Sequence, residues 1–96
     1  MSREEILKIL KAFKEECAGR YGILTLGVFG SVARDDVKEA SDVDVVLRTK
    51  TPDPYNIVHI KEDLEQRLNV RVDLVRLRDR MNPFLAKRIE AESIYV

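Results

Sequence analysis

Apolar residues recur at Ile6, Leu10, Phe13 and Cys17, with Leu7 and Ile9 beside them, while Lys8, Lys11, Lys14, Glu15 and Glu16 hold the other face. That period predicts an amphipathic helix over residues 3–18. Ser2 with Glu5 three positions later has the pattern of a capping box, and Gly19 to Gly22 marks the stop. Residues 23–29 are then apolar and uncharged, which predicts a strand buried on both faces. Gly30-Ser31 follows, and Val32-Ala33-Arg34 reads as a short helix before a polar loop over 35–41. A second strand spans 42–48, opening with alternating aspartate and valine. Asp53-Pro54 is a cap followed by a first-turn proline, and Ile57, Ile60, Leu64 and Leu68 carry a helix from about 54 to 68, with Asn69 to stop it. Residues 70–76 give a third strand. Phe84, Leu85 and Ile89 mark a last helix near 82–92, and Ser93 to Val96 reads as a short closing strand.

The order is α-β-(short α)-β-α-β-α with a terminal strand. It predicts an α/β (α+β) fold: a small mixed sheet of three or four strands flanked by helices. At 96 residues, without repeats or a linker, the expectation is one domain over 1–96.

Three short motifs could carry chemistry. Gly30 permits a sharp turn, and the start of a helix at Ser31 would offer backbone N–H groups to an anion such as phosphate. Alone, a Gly-Ser pair is more often an ordinary strand-to-helix turn. Asp42 and Asp44 are two apart on a strand, so their side chains share a face, with Cα atoms roughly 6–7 Å apart. Two such carboxylates repel unless a hard cation such as Mg²⁺ joins them. Alone, they are more often a solvated strand edge. Asp73 lies within an apolar strand, where a carboxylate needs a partner: a cation, or Arg71 or Arg76. If the first two strands are antiparallel and the helix at 54–68 returns the chain for a parallel third, all three motifs meet. Three carboxylates could then hold two metal ions about 4 Å apart for in-line displacement at phosphorus.

The series Gly30-Ser31-Val32-Ala33-Arg34, then Ser41-Asp42-Val43-Asp44, then Asp73 in a following strand, resembles the polymerase-β-type nucleotidyltransferase superfamily, and in its short length the minimal nucleotidyltransferase (MNT) branch. The resemblance is strong over 28–47 and extends in element order over 1–96. It implies that Asp42, Asp44 and Asp73 bind Mg²⁺, two ions in all, and are the catalytic acids. It implies that Gly30 and Ser31 cradle the β- and γ-phosphates of a nucleoside triphosphate, with ATP the favoured donor. Arg34 would orient a phosphate or brace the site by pairing with an acid. Members of this branch are typically encoded beside a helical HEPN protein, often a toxic RNase, and act as its antitoxin. The implied reaction is AMP transfer to a hydroxyl of that partner; the competing implication is a catalytically silent antitoxin that neutralises by contact. Family members often carry Gly after the motif's arginine, where this chain has Asp35-Asp36. That departure bears on the loop before Asp42 and leaves the carboxylates intact.

Composition narrows the field further. Lys plus Arg and Asp plus Glu stand at 17 each, so no net charge draws the chain to nucleic acid or a membrane surface. The basic residues Arg71, Arg76, Arg78, Arg80, Lys87 and Arg88 read as a solvated face and ordinary ion pairs. The lone Cys17 falls on the apolar face of the first helix, and a single cysteine fits a reducing, cytoplasmic setting. His59 and the three tyrosines form no site pattern. With so few residues to bind an acceptor, a partner or a second copy must hold it.

Overall fold

The computed structural model describes residues 1–36 and 42–96. Three helices and four strands follow in the order α1 (Arg3–Tyr21), β1 (Ile23–Phe29), β2 (Val43–Thr49), α2 (Pro54–Leu68), β3 (Val72–Arg76), α3 (Pro83–Glu92) and β4 (Ile94–Tyr95). The sheet order is β3-β2-β1-β4. β2 lies antiparallel to β1 and parallel to β3, and β4 closes the far edge antiparallel to β1. This is the mixed sheet that the element order predicts, completed to four strands.

Local signals explain the boundaries. The Ser2 hydroxyl accepts from the Glu5 N–H and donates to the Glu5 carboxylate, so the capping pair forms through the side chains. α1 continues through Gly19, where the sequence suggests a stop, because the extra residues bury Tyr21: its ring stacks on Phe13 at 6.3 Å. Gly22 then ends the helix in the left-handed conformation. Asp53 caps α2 with bonds from the Tyr55 and Asn56 N–H groups, and Asn69 closes it in the left-handed region. Asn82 caps α3 in the same manner, with Pro83 at the first position.

Alternation along the strands divides the core. Val43, Val45, Leu47, Val72 and Leu74 face α1 and α2 and join Ile6, Leu10, Phe13, Leu64 and Leu68 in the main cluster. Cys17 is buried in that cluster, as a small apolar residue would be. The opposite face carries Phe29, Val46 and Val75, which pack with Ile89 and Leu85 of α3. Asp44 alternates with Val43 and Val45, and Asp73 with Val72 and Leu74, so both acids belong to this second face. Among the described residues, no helix is long and apolar enough to cross a membrane.

Candidate functional site

The second face ends in a rim where β1 stops and β2 and β3 begin. Asp44 and Asp73 are Cα partners in the parallel β2–β3 ladder, and Phe29, the last residue of β1, pairs with Asp44 from the other side. Gly30 follows directly, with φ +68°. A Cβ there would collide with the Asp44 carboxylate as it is placed, so both the backbone and the space favour glycine. The turn therefore brings the Gly-Ser motif against Asp44.

The Asp44 carboxyl is pushed above its ordinary value, first by partial burial, then by Asp73; Arg88 pulls against the rise and Asp42 adds to it. These acids crowd one another, which is the condition that a divalent cation relieves. The glycine cradle and the paired oxygen ligands fit such an ion. The three acids are not equivalent, however. β2 begins at Val43, so Asp42 lies just outside the strand and alternation does not fix its direction. It lines a cleft of about 290 Å³ with Asp73, Arg71, and Lys61 and Glu65 of α2. Among the described residues, no three potential ligands already converge as a cation cage. Nor is Asp73 the enclosed carboxylate that its apolar strand suggests: near the strand's start it is exposed, and among the described residues it forms no ion pair with Arg71 or Arg76.

The short helix expected after Ser31 is a single turn. Arg34 N–H bonds Gly30 C=O, Asp35 N–H bonds Val32 C=O, Asp36 N–H bonds Ser31 C=O, and Asp35 adopts φ +58°. One turn has little macrodipole, so an anion here would depend on individual N–H groups. Ser31 is half-buried beside them. Ser41 and the loop residues 37–41 lie outside the described residues.

Arg34 makes a contact with an acid, as the second of its two expected roles would require. Its guanidinium pairs with Glu92 at 3.1 Å, at the end of α3. The other Glu92 oxygen accepts from the Gly30 N–H at 3.1 Å and lies 3.4 Å from Arg88 Nε. Arg88 also lies over the Phe29 ring, and its Nη2 is 3.2 Å from where a Cβ on Gly30 would sit. The sequence alone places Arg88 in a solvated basic face and gives Glu92 no role. Their i, i+4 spacing on a helix just before a closing strand is the one signal that could have found them.

Comparison with known proteins gives this arrangement a context. A protein adenylyltransferase named MntA from Thermococcus cleftensis is 38% identical over 97 residues, which span 100% of this chain and 97% of the relative. A solved structure described provisionally as a minimal nucleotidyltransferase superposes with a TM-score of 0.83 at 34% identity, covering 98% of this chain and 95% of that one. A more distant solved structure contains a tri-AMPylated HEPN toxin from Shewanella oneidensis in complex with an MNT antitoxin. It matches with a TM-score of 0.61 at 20% identity, over 97% of this chain and 66% of that one, and so bears on the fold alone. Residues 4–96 match the family model described as polymerase beta, nucleotidyltransferase, and the chain belongs to that family.

Proposed function

We propose that this chain is a metal-dependent protein adenylyltransferase that transfers AMP from ATP to a hydroxyl of a helical HEPN-type partner, releasing pyrophosphate, and thereby acts as an antitoxin. The observation that carries the reading is the register of Asp44 with Asp73 directly against the Gly30 turn. The name of the Thermococcus relative supports the adenylyl group, and the proposed partner class is the one named for the complex from Shewanella, whose MNT antitoxin shares this fold.

Asp44 and Asp73 supply paired oxygen ligands, and Asp42 reaches the same rim from outside the strand. When bound, Mg²⁺ would neutralise the phosphate oxygens and draw charge from the phosphorus under attack. Asp73 is more exposed than Asp44, so it is the acid an incoming acceptor hydroxyl can reach and to which it can pass its proton. The N–H groups of Ser31, Val32 and Ala33 open the turn and have no acceptor within it, so they suit the β- and γ-phosphates. The hydroxyl of Ser31 can add a donor. In this reading Arg34 acts mainly through Glu92. Residues 1–96 form one domain, and the partner presents the acceptor.

Incubating the chain with labelled ATP, Mg²⁺ and the partner should label the partner, and Asp44→Ala should abolish the label. Equal labelling by Asp44→Ala would remove the reading. If Asp42→Ala combined with Asp44→Ala still neutralises the partner fully, the chain works by contact.

A further inference from the structure

We infer that Glu92 is a positioning residue of the nucleotide site, bolting the phosphate turn to the end of α3. The inference rests on the nucleotidyltransferase reading above.

The placement follows from strand register. β4 pairs with β1 as Tyr95 to Gly27 and Ile94 to Val28. Continuing that antiparallel register past the paired residues sets position 92 opposite position 30. The last residue of α3 is thus delivered to the Gly30 N–H by the same pairing that closes the sheet. One Glu92 oxygen accepts from that N–H at 3.1 Å, and the other accepts from Arg34 at 3.1 Å. Gly30 and Arg34 are the two ends of the turn, which is itself closed by the bond from Arg34 N–H to Gly30 C=O. A single carboxylate therefore spans the turn from end to end. Arg88, one helical turn before Glu92, approaches the same oxygen as Gly30 while leaning on Phe29.

Glu92 takes the N–H that precedes the turn, while those of Ser31, Val32 and Ala33 have no acceptor among the turn's own carbonyls. The Gly30 N–H is then a structural bond, and the phosphates are received by the next three residues. Partial desolvation pushes the Glu92 carboxyl up, but the Gly30 N–H, Arg34 and Arg88 outweigh it and hold it below its ordinary value. It is therefore an anion wherever the enzyme would work. Its task is geometric: it fixes the angle at which three amides are presented and prevents Arg34 from swinging away.

The test is a titration of the full chain with a non-hydrolysable ATP analogue and Mg²⁺, followed by calorimetry and by amide resonances. In the wild type, the amides of Ser31, Val32 and Ala33 shift while that of Gly30 holds its position. Glu92→Ala weakens the analogue about tenfold. Glu92→Gln, whose amide oxygen can still accept from Gly30, binds within about threefold of the wild type. Should Glu92→Ala fail to fold, Glu92→Asp, which keeps the charge on a shorter arm, shows the same weakening. A Gly30 amide that moves with the analogue, together with tighter binding by the variants, would overturn the inference, because Glu92 would then be occupying a phosphate position. Glu92→Ala or Glu92→Asp binding like the wild type would also overturn it, reducing Glu92 to a fold contact. A wild-type chain that binds no analogue would fell the parent reading and this one together, an outcome distinct from both.

Discussion

The carboxylate of Asp44 occupies the space that a side chain on Gly30 would need. The two positions belong to separate motifs, yet a substituent on one would have to displace the carboxylate of the other. Gly30→Ala combines a positive φ with that collision, so it should lower stability by about 1–3 kcal/mol and abolish nucleotidyl transfer. Urea unfolding and the labelling assay measure the two effects separately. Unchanged transfer would show that the turn can move away from Asp44 without cost.

Asp44 itself should be a liability to the metal-free fold. Its folded-state pKa lies above the unfolded value, so the folded chain holds the proton more tightly. Stability from this group is complete below the unfolded pKa and is lost as pH rises through the folded one. At neutral pH Asp44→Asn should be more stable than the parent, by an amount that solvent screening keeps small, while losing transfer. Melting curves between pH 4 and 8 without divalent cations should diverge with rising pH. Parallel curves would remove the crowding argument.

Arg67 ties the two helices of the main cluster together. It bonds Asp63 at 2.8 Å within α2 and Glu16 of α1 at 2.7 Å, and its guanidinium lies 5.1 Å from the centre of the Phe13 ring. Packing adds to the ion pairs here, so Arg67→Ala should cost about 1–2 kcal/mol, above the usual value of an exposed pair. Raising the salt concentration should recover only part of the difference. Nucleotide binding should stay the same, because Arg67 lies on the helix-covered face remote from Gly30.

Gly27 tests how firmly the closing strand is held. A Cβ there would lie 2.5 Å from the Ile94 carbonyl oxygen and 3.0 Å from the Tyr95 Cα, both backbone atoms that cannot turn aside. Gly27→Ala should therefore push β4 outward at a cost of about 1–3 kcal/mol. It should also weaken triphosphate binding, since Glu92 reaches Gly30 through the same strand pairing. Hydrogen exchange at the Gly30 amide would report the displacement, and a protected amide in the variant would contradict it.

Much of this is legible in the chain itself. Periodicity and apolar runs locate the three helices and four strands, though the short helix expected after Ser31 is a turn, and caps at Ser2, Asp53 and Asn69 mark ends that the structure bears out. The antiparallel-then-parallel order of the first three strands follows from requiring the motifs to meet. Other features depend on tertiary context. Gly19 has the local preference of a helix stop, but the burial of Tyr21 two residues later outweighs it. Asp73 has the apolar neighbours of an enclosed residue, but it lies on the second face at the start of edge strand β3, outside the cluster that α3 forms over Val75. Glu92 has only its i, i+4 spacing from Arg88 as a local signal, because its contact with Gly30 is set by the pairing of β4 with β1. Arg34 has two candidate roles, and only the arrival of that acid separates them.

The bond between Gly30 and Glu92 spans 62 positions of sequence. Closing so long a loop is entropically expensive, and the strand that carries the closure pairs through only two residues. α1 with β1, or α2 with β3, can associate after much shorter excursions of the chain. Folding should then proceed from the helix-covered side outward, with the rim completed last and opened first. The molecule would spend part of its life with its hydrophobic interior assembled and its working edge ajar. A ligand that grips the closed rim would act as a latch, so its largest effect should appear in slowed exchange of the amides around Gly30 and β4 rather than in the melting of the core.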